Sequence, residues 1–214
     1  MRGLVLSEAG LDAVPEAIGE LSELRMLDLA HNRLTSVPDS FARLRDLEVL
    51  YLGDNRLAEL PVFVRSLRRL VYLGADANAL EALPDWIGEL EALVELRLQH
   101  NRLARLPDAI GGLGALRALH LRGNRLTDVS AAVAGLASLR HLDLRDNRLR
   151  EVPPSITALP RLRVLDLRAN RLADVPEAIL DLPELEKLDL RWNDVCPPPA
   201  LLDELERRGC FVLH

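Results

Sequence analysis

Apolar residues return along this chain at fixed intervals. One stretch carries them at Leu24, Leu27, Leu29, Leu34, Val37, Phe41 and Leu44, and a later stretch repeats these spacings at Leu93, Leu96, Leu98, Leu103, Leu106, Ile110 and Leu113. Each copy contains an asparagine, and successive asparagines are 23 residues apart. They are Asn32, Asn55, Asn78, Asn101, Asn124, Asn147, Asn170 and Asn193. The pattern predicts a stack of about nine units, the first with Ala9 at the asparagine position.

Within each unit the pattern predicts one strand and one helical turn. Leu27, Asp28 and Leu29 alternate apolar and polar, which is the period of a half-buried strand. A proline such as Pro38 suits the first helical position, where a missing N–H group costs little. Phe41 and Leu44, three residues apart, would supply the buried face of that turn. A long coiled coil is excluded, because 23 is not a multiple of seven and the recurring proline would break long helices.

The pattern L-x-x-L-x-L-x-x-N-x-L-x-x-[LV]-P-x-x-[IFV]-x-x-L resembles the leucine-rich repeat family over the whole chain. The 23-residue unit with its Leu-Pro or Val-Pro step is similar to the Ras-group subclass, which includes the Ras suppressor protein, the plant intracellular Ras-group proteins and repeat domains of bacterial Roco proteins. The resemblance implies an α/β fold, a leucine-rich repeat solenoid. Such a solenoid is a curved right-handed coil with a parallel β-sheet on its concave side and short helical or 3-10 segments on its convex side.

The repeat predicts two regions. Residues 1–195 form the leucine-rich repeats, and residues 196–214 form a C-terminal cap made of an amphipathic helix, ended by Gly209, and an edge strand. The repeat phase places Phe211 and Leu213 on the strand leucine positions. Cys196 and Cys210 are expected to be buried free thiols. No comparable N-terminal cap is visible. Either charged residues make the exposed end of the first coil more polar, or a second copy of the chain or another partner covers it.

The eight asparagines are predicted to form a structural ladder. After each strand the chain bends inward and leaves backbone N–H and C=O groups without partners. A side-chain amide carries both donors and an acceptor, so it can satisfy the neighbouring turns. Stacked units would then be tied together by one asparagine each.

Composition and charge narrow the classes of function. Apolar residues make up 49% of the chain, too many for a disordered protein, and its formal net charge of -6 argues against nucleic acid as a partner. No apolar run approaches the roughly 20 residues of a membrane helix, and the N-terminus lacks the apolar stretch of a signal peptide. Two cysteines cannot staple a secreted fold of this size. These observations predict a cytoplasmic protein without a membrane or nucleic-acid partner.

Function is expected in the side chains that vary on the concave strands, because the buried positions repeat. The candidate partner-binding residues are Met26, Asp28, Tyr51, Tyr72, Asp76, Glu95, Arg97, His120, Arg122, Asp143, Arg145, Asp166 and Arg168. In the N-terminal half, Tyr51 and Tyr72 lie beside Gly53 and Gly74. Glycines in a strand often mark the close approach of another chain, and exposed tyrosine is typical of binding hot spots. Ordinary sequence drift is the alternative explanation of this patch.

In the C-terminal half the triplet Asp-Leu-Arg begins at Asp143, Asp166 and Asp189, which predicts an aspartate stripe beside an arginine stripe. Two interpretations remain open for it. The stripes form a self-neutralising, solvated face, or they form a charged recognition surface for a protein or peptide. Exposed ion pairs contribute little to stability, so the regularity is also consistent with repeat duplication.

The sequence does not support catalytic or cofactor chemistry. It contains no P-loop, G-x-G-x-x-G, G-x-S-x-G or H-E-x-x-H motif, so no enzyme and no cofactor are predicted. His120 and His141 would lie on adjacent strands near Asp143, but no ligand spacing supports a metal site. Nor do the arginines that follow most of the asparagines have the interleaved aromatics of a nucleic-acid surface.

These observations favour a non-catalytic, cytoplasmic scaffold that binds a protein or peptide on its concave face. Resemblance to the Ras-group subclass suggests a small GTPase or signalling protein as the partner. The principal alternative is a structural or assembly protein that self-associates through its first coil, although a monomer is favoured over a homodimer. A secreted bacterial effector and a regularised engineered scaffold remain as further alternatives.

Overall fold

The computed structural model describes residues 2–214 of the chain. Ten parallel strands form a single open, curved sheet, and they follow one another across it in chain order. The strands are β1 (Gly3–Val5), β2 (Met26–Asp28), β3 (Val49–Tyr51), β4 (Tyr72–Gly74), β5 (Glu95–Arg97), β6 (Ala118–His120), β7 (His141–Asp143), β8 (Val164–Asp166), β9 (Lys187–Asp189) and β10 (Phe211–Leu213). This arrangement confirms the predicted repeat solenoid.

The register of the sheet follows the 23-residue period. Leu27 pairs with Leu50, and Leu50 pairs with Leu73. Each of these leucines is fully buried, whereas the residues on either side of it in the strand face the concave surface. The side-chain alternation therefore agrees with the predicted half-buried strand, although each strand ends before the second leucine of the predicted triplet, as β2 ends before Leu29.

Short helical segments cover the other side of the coil. The 3-10 segments are Glu16–Glu20, Asp39–Arg43, Val62–Ser66, Asp85–Glu89, Asp108–Gly112, Ala131–Gly135 and Glu177–Asp181, and the helix α1 spans Pro154–Thr157. The prediction that the repeat proline occupies the first helical position is wrong, because in every unit that has this proline it lies just before the 3-10 segment or before α1. Pro38 has an extended backbone (φ -59°, ψ 140°) and lies just before the segment, where its carbonyl oxygen accepts a hydrogen bond from the N–H of Phe41. Its fixed φ therefore directs the chain into the turn.

One unit replaces this proline with Ser130, whose hydroxyl does a different job. The Ser130 Oγ accepts a hydrogen bond of 3.2 Å from the N–H of Ala132 and donates one of 2.6 Å to Asp108 of the preceding unit. The serine is thus an N-cap in the usual sense, and it also links two units on the convex side.

The asparagine ladder is present in all eight predicted units. In one of them, Asn101 Oδ1 accepts a hydrogen bond of 3.0 Å from the N–H of Leu80, and its Nδ2 donates to the carbonyl oxygens of Leu98 and Ala75. The amide therefore joins its own strand to the preceding unit. The same three bonds recur at Asn32, Asn55, Asn78, Asn124, Asn147, Asn170 and Asn193.

The residue before each asparagine has a left-handed backbone. Examples are His31 with φ 56° and His100 with φ 57°, and a single unit uses a glycine, Gly123, with φ 67°. Non-glycine residues rarely adopt this conformation. The asparagine bonds offset that strain, because the bend brings the amide inward to the backbone groups of two units.

The C-terminal segment contains the helix α2 (Pro199–Arg207) and the strand β10. In this segment the predicted phase is wrong by one residue. Val212, and not Phe211, pairs with Leu188, because α2 and the left-handed Gly209 take the chain one residue further than a usual convex segment. As a result, the Phe211 side chain is 62% exposed.

Both cysteines are free thiols, and the prediction that both are buried is wrong for one of them. Cys196 is exposed in the loop that precedes α2, and Cys210 is buried next to β9. Burial raises the pKa of the Cys210 thiol above its ordinary value.

Candidate protein-binding surface on the concave face

All thirteen candidate residues lie on the strands or just after them, on the concave side of the sheet. They form three columns. The first strand position contributes Met26, Tyr72 and Glu95; the third contributes Asp28, Tyr51, Arg97, His120, Asp143 and Asp166; the position two residues after the strand contributes Asp76, Arg122, Arg145 and Arg168. All of them are half-buried except Asp166, which is buried.

The two tyrosines of the N-terminal half contact each other. Their ring centroids are 4.8 Å apart, with the planes tilted by 47°. The guanidinium of Arg97 lies 5.6 Å from the centroid of the Tyr72 ring, so a cation–π contact extends the cluster to the next strand. Burial raises the pKa of Tyr72 to about 12, so the hydroxyl remains a neutral hydrogen-bonding group.

The glycines beside the tyrosines do not leave room for another chain. A Cβ atom on Gly74 would lie 3.2 Å from the Tyr72 ring, and one on Gly53 would lie 3.0 Å from the carboxylate of Asp76. The interpretation of these glycines as marks of an approaching partner is therefore wrong. They make space for the side chains of Tyr72 and Asp76, which cover the two glycines. The Tyr72 ring and the Asp76 carboxylate therefore form the surface of this region.

Glu95 connects the tyrosine cluster to the histidines. Its Oε1 accepts a hydrogen bond of 2.6 Å from Arg97 Nε and lies 3.6 Å from His120 Nε2. The rings of His120 and His141 are 5.1 Å apart. Burial, with smaller contributions from His141 and Arg97, lowers the pKa of His120 below its ordinary value. The middle of the face therefore carries a neutral imidazole beside one neutralised arginine.

In two of the three Asp-Leu-Arg triplets, the arginine side chain binds the aspartate of its own triplet. Arg168 binds Asp166 through both Nε and Nη2, and Arg191 Nη2 binds Asp189 at 2.7 Å. Arg168 Nε also lies 3.3 Å from Asp189, so these side chains form one network. The carboxylates of Asp166 and Asp189 are buried. The two stripes are therefore self-neutralising in these two units, but they do not form a solvated face.

The first triplet behaves differently. The side chain of Asp143 accepts a hydrogen bond of 3.0 Å from the Arg145 backbone N–H, but the Arg145 guanidinium does not bind it. That guanidinium lies 5.2 Å from the centroid of the Trp192 ring, two units further along the chain. Trp192 is 63% exposed and also lies within 5.8 Å of the Arg191 guanidinium. Sequence reasoning missed Trp192, although its position beside a ladder asparagine placed it at the rim of the concave face.

Arg122, like Arg145, differs from the concave arginines that bind a carboxylate. Its Nε and the neighbouring Gln99 Oε1 are buried without a hydrogen-bond partner among residues 2–214. In the same part of the chain no carboxylate lies within 4.0 Å of the Arg122 or Arg145 guanidinium groups. Two adjacent units therefore present cations that the protein itself does not neutralise.

The described residues offer little for catalysis or metal binding. No group of three His, Cys, Asp or Glu side chains within residues 2–214 is arranged to hold a metal ion. A surface groove with a volume of about 500 Å³ lies away from the concave face, between successive turns that include Leu83, Leu106 and Ser130. None of the helices formed by residues 2–214 is both long and apolar enough to cross a membrane.

Two family models match the chain. The model described as a leucine-rich repeat region covers residues 4–122, and a leucine rich repeat model covers residues 137–195. The chain belongs to the leucine-rich repeat family. Proteins of this family generally act as protein-binding scaffolds. The finer assignment to the Ras-group subclass rests on the sequence resemblance alone.

Solved structures place this leucine-rich repeat chain among bacterial and plant relatives. A leucine-rich repeat protein of Leptospira interrogans is 35% identical with a TM-score of 0.94, and the match covers 100% of this chain and 54% of that one. The repeat domain of the type III effector XopL is 29% identical with a TM-score of 0.80, covering 99% of this chain and 75% of that one.

The repeat ectodomain of the Arabidopsis thaliana receptor kinase GASSHO1/SCHENGEN3, solved with CASPARIAN STRIP INTEGRITY FACTOR 2, is 27% identical with a TM-score of 0.70, covering 99% of this chain and 28% of that one. The chain spans about half the length of the Leptospira protein. No curated protein matches the chain.

Proposed function

We propose that this leucine-rich repeat chain is a non-catalytic scaffold that binds a protein or peptide partner on its concave face. The Tyr51–Tyr72 pair is the observation that carries the proposal. The two rings contact each other in a tilted arrangement, with centroids 4.8 Å apart, on the sheet face outside the leucine core, and both residues are only half-buried. Tyrosine clusters beside arginine are typical of the centres of protein interfaces. The Arabidopsis ectodomain was solved in complex with CASPARIAN STRIP INTEGRITY FACTOR 2, which supports binding of a partner as the role of this chain.

The finer part of the proposal concerns the partner and the compartment. Resemblance of the 23-residue unit to the Ras-group subclass favours a small GTPase or another signalling protein, and the two free cysteines favour the cytoplasm. A purified panel of small GTPases, each loaded with GDP or a GTP analogue, tests the first point by biolayer interferometry. A panel without a concentration-dependent signal would remove GTPases as the partner class and leave the binding role in place.

Site-specific photo-crosslinking tests the binding role itself. The crosslinking residue p-benzoylphenylalanine replaces Tyr51 on the concave face or Asp39 on the convex side, and crosslinking is carried out in cells of the source organism. We expect a discrete partner band from the Tyr51 position only. The same band should weaken when Tyr72→Ala accompanies the Tyr51 probe, whereas Val62→Ala, an exposed apolar position on the convex side, should leave it unchanged. Equal bands from both faces would contradict the proposal.

Self-association through the first coil is a second candidate. Val5 is 59% exposed and Leu21 38% exposed in that coil, and Leu4, Leu6 and Leu11 are only partly buried, unlike their counterparts in later units. Sedimentation at several protein concentrations tests this role. A dimer that Val5→Glu abolishes would support assembly, and a monomer at every concentration would exclude it.

A further inference from the structure

We propose that the concave face recognises an extended, acidic segment of its partner, whose aspartate or glutamate side chains bind the guanidinium groups of Arg122 and Arg145. This inference rests on the proposed binding function and specifies the chemistry of the partner. It follows from a difference between these two arginines and the other arginines of the same face.

Three concave arginines already hold a carboxylate of the protein. Arg97 Nε binds Glu95 at 2.6 Å, Arg168 binds Asp166, and Arg191 binds Asp189 at 2.7 Å. In each case the carboxylate comes from the strand two residues earlier in the same unit. A carboxylate two residues earlier is therefore bound by three of the four concave arginines that have one, and Arg145 is the exception.

Arg122 has no such carboxylate, because His120 occupies the position two residues earlier. An imidazole is either neutral or positively charged, so His120 cannot act as a counter-ion to Arg122. The Nε of Arg122 is buried without a hydrogen-bond partner in the described chain. Arg122 as a whole is only half-buried, so the rest of its guanidinium stays within reach of a carboxylate from a partner.

Arg145 has the carboxylate of Asp143 at the expected position but does not bind it. Its guanidinium is held over the Trp192 ring instead, at 5.2 Å from the ring centroid. Arg122 and Arg145 come from adjacent units, whose strands are about 4.8 Å apart, so neighbouring positions of the face carry two positive charges without a bound carboxylate. Guanidinium groups bind carboxylates through paired hydrogen bonds, and these charge-assisted bonds are the strong ones.

The rest of the face sets the position of the acidic residues in the partner. Asp28 and Asp76 on the N-terminal half disfavour acidic residues there. From Tyr72 on β4 to Arg122 and Arg145 is two to three strand spacings, about 10–14 Å, or three to four extended residues. The expected partner segment therefore places an apolar or aromatic residue on the tyrosine pair and acidic residues three and four positions away.

Selection of random peptides on the full chain tests this inference. A library of dodecapeptides is displayed at the N-terminus of a phage coat protein, so that the peptides have no free carboxyl terminus and only side-chain carboxylates are sampled. We expect the selected peptides to be enriched in aspartate or glutamate beyond an apolar residue. A selected peptide, synthesised with an amidated C-terminus, then serves as the probe in fluorescence anisotropy.

Two double variants provide the decisive comparison. Arg122→Gln with Arg145→Gln should weaken the probe by about tenfold or more, since two charge-assisted contacts are lost. Arg125→Gln with Arg148→Gln makes the same change of charge at exposed arginines on the rim of the same two units and should leave affinity within about twofold. An equal loss in both double variants would reduce the effect to net charge and overturn the inference.

The role of Trp192 gives an independent check. Trp192→Ala should release Arg145 onto Asp143 and weaken the acidic probe, and adding Asp143→Asn should restore the affinity. A probe that is indifferent to Trp192, or no restoration by the second change, would contradict this role of the tryptophan.

The selection also separates this inference from the broader function. One result would keep the scaffold function and overturn the inference. The selected peptides would bind less tightly to the double variant Tyr51→Ala with Tyr72→Ala, but they would not be enriched in acidic residues, and their affinity would not change when Arg122 and Arg145 are replaced. Enrichment of basic peptides would also overturn it. If no selected peptide responds to any concave variant, both proposals fail.

Discussion

Asp189, with a side chain only 3% exposed, accepts hydrogen bonds of 3.0 and 2.7 Å from the Nε and Nη2 of Arg191. Burial alone would raise the pKa of this carboxyl. The hydrogen bonds of Arg191 and the charge of Arg168 outweigh burial, and the pKa lies below its ordinary value. The carboxylate is thus held ionised on the sheet by the arginines that it neutralises.

We expect Asp189→Ala to lower the free energy of unfolding by about 1.5–3 kcal/mol, because Arg191 loses the carboxylate that it binds and Arg168 keeps only Asp166. Asp143→Ala is the matched control, since Asp143 stands in the same triplet but binds only a backbone N–H, and its loss should cost about 1 kcal/mol. Urea unfolding at pH 7 measures both. Because the folded pKa of Asp189 is depressed, its contribution is present above about pH 4 and is lost as the pH falls through the folded pKa. Equal losses in the two variants would contradict the special role of the buried pair.

Removal of one ladder amide should destabilise the stack. Asn101→Ala leaves the N–H of Leu80 without its side-chain acceptor and removes one of the two amide donors from the carbonyl oxygens of Leu98 and Ala75. This change should cost about 1–3 kcal/mol and lower the melting temperature by several degrees. Arg102→Ala, at the exposed neighbouring position, should change it little. Circular dichroism melting curves make the comparison, and an unchanged curve for Asn101→Ala would count against the ladder.

Close packing of the convex backbone predicts a strong effect of one added methyl group. A Cβ atom on Gly88 would lie 2.2 Å from the carbonyl oxygen of Ala109, so the backbones of two 3-10 segments would have to separate. Gly88→Ala should therefore lower stability by about 1–3 kcal/mol. Nothing lies within 4 Å of the corresponding point on Gly114, and Gly114→Ala should be close to neutral in the same thermal unfolding assay. Similar stability of the two variants would show that the convex segments can move apart at little cost.

His120 predicts a dependence of stability on mildly acidic pH. Its pKa in the folded chain is depressed by burial, with further contributions from His141 and Arg97 that outweigh the opposite effects of Glu95 and Asp143. The unfolded chain therefore binds more protons between the folded pKa and about 6.5, so stability falls as the pH is lowered through this window.

The variant His120→Asn should show a shallower loss of melting temperature than the wild type between pH 7.5 and 5.5. Asp54 raises the pKa of His31, which contributes with the opposite sign in both proteins and cancels in the difference. Parallel pH curves for the two proteins would rule out His120 as the group responsible.

The repeat itself was predictable because a fixed period places each asparagine and leucine over its counterpart. Once the strands stack, the amide of Asn101 has the same neighbours as that of Asn124, so one correct unit determines the others. Half-burial of the concave residues followed from the same alternation. These features depend on spacing alone, which can be read without coordinates.

The exceptions depend on side-chain geometry or on a change of period. Phe211 was misplaced because the cap helix adds one residue, and nothing in the local pattern signals the slip. Identical triplets at Asp143 and Asp166 behave differently because Trp192 reaches back over two units to Arg145. The spacing of residues carries no information on the direction that a side chain takes. It could not show that Tyr72 and Asp76 cover Gly74 and Gly53, so the interpretation of these glycines was wrong.

The parallel register of the sheet also has a mechanical consequence. Each coil is held mainly by its two neighbours, through strand hydrogen bonds, a ladder amide and the packing of buried leucines. A stretching force applied to both ends of the chain should therefore unfold the coils one after another, and should not shear the whole sheet in a single event. Each event should release about 80 Å of contour length, the reach of 23 extended residues, so a single-molecule trace would record the repeat as an evenly spaced sawtooth.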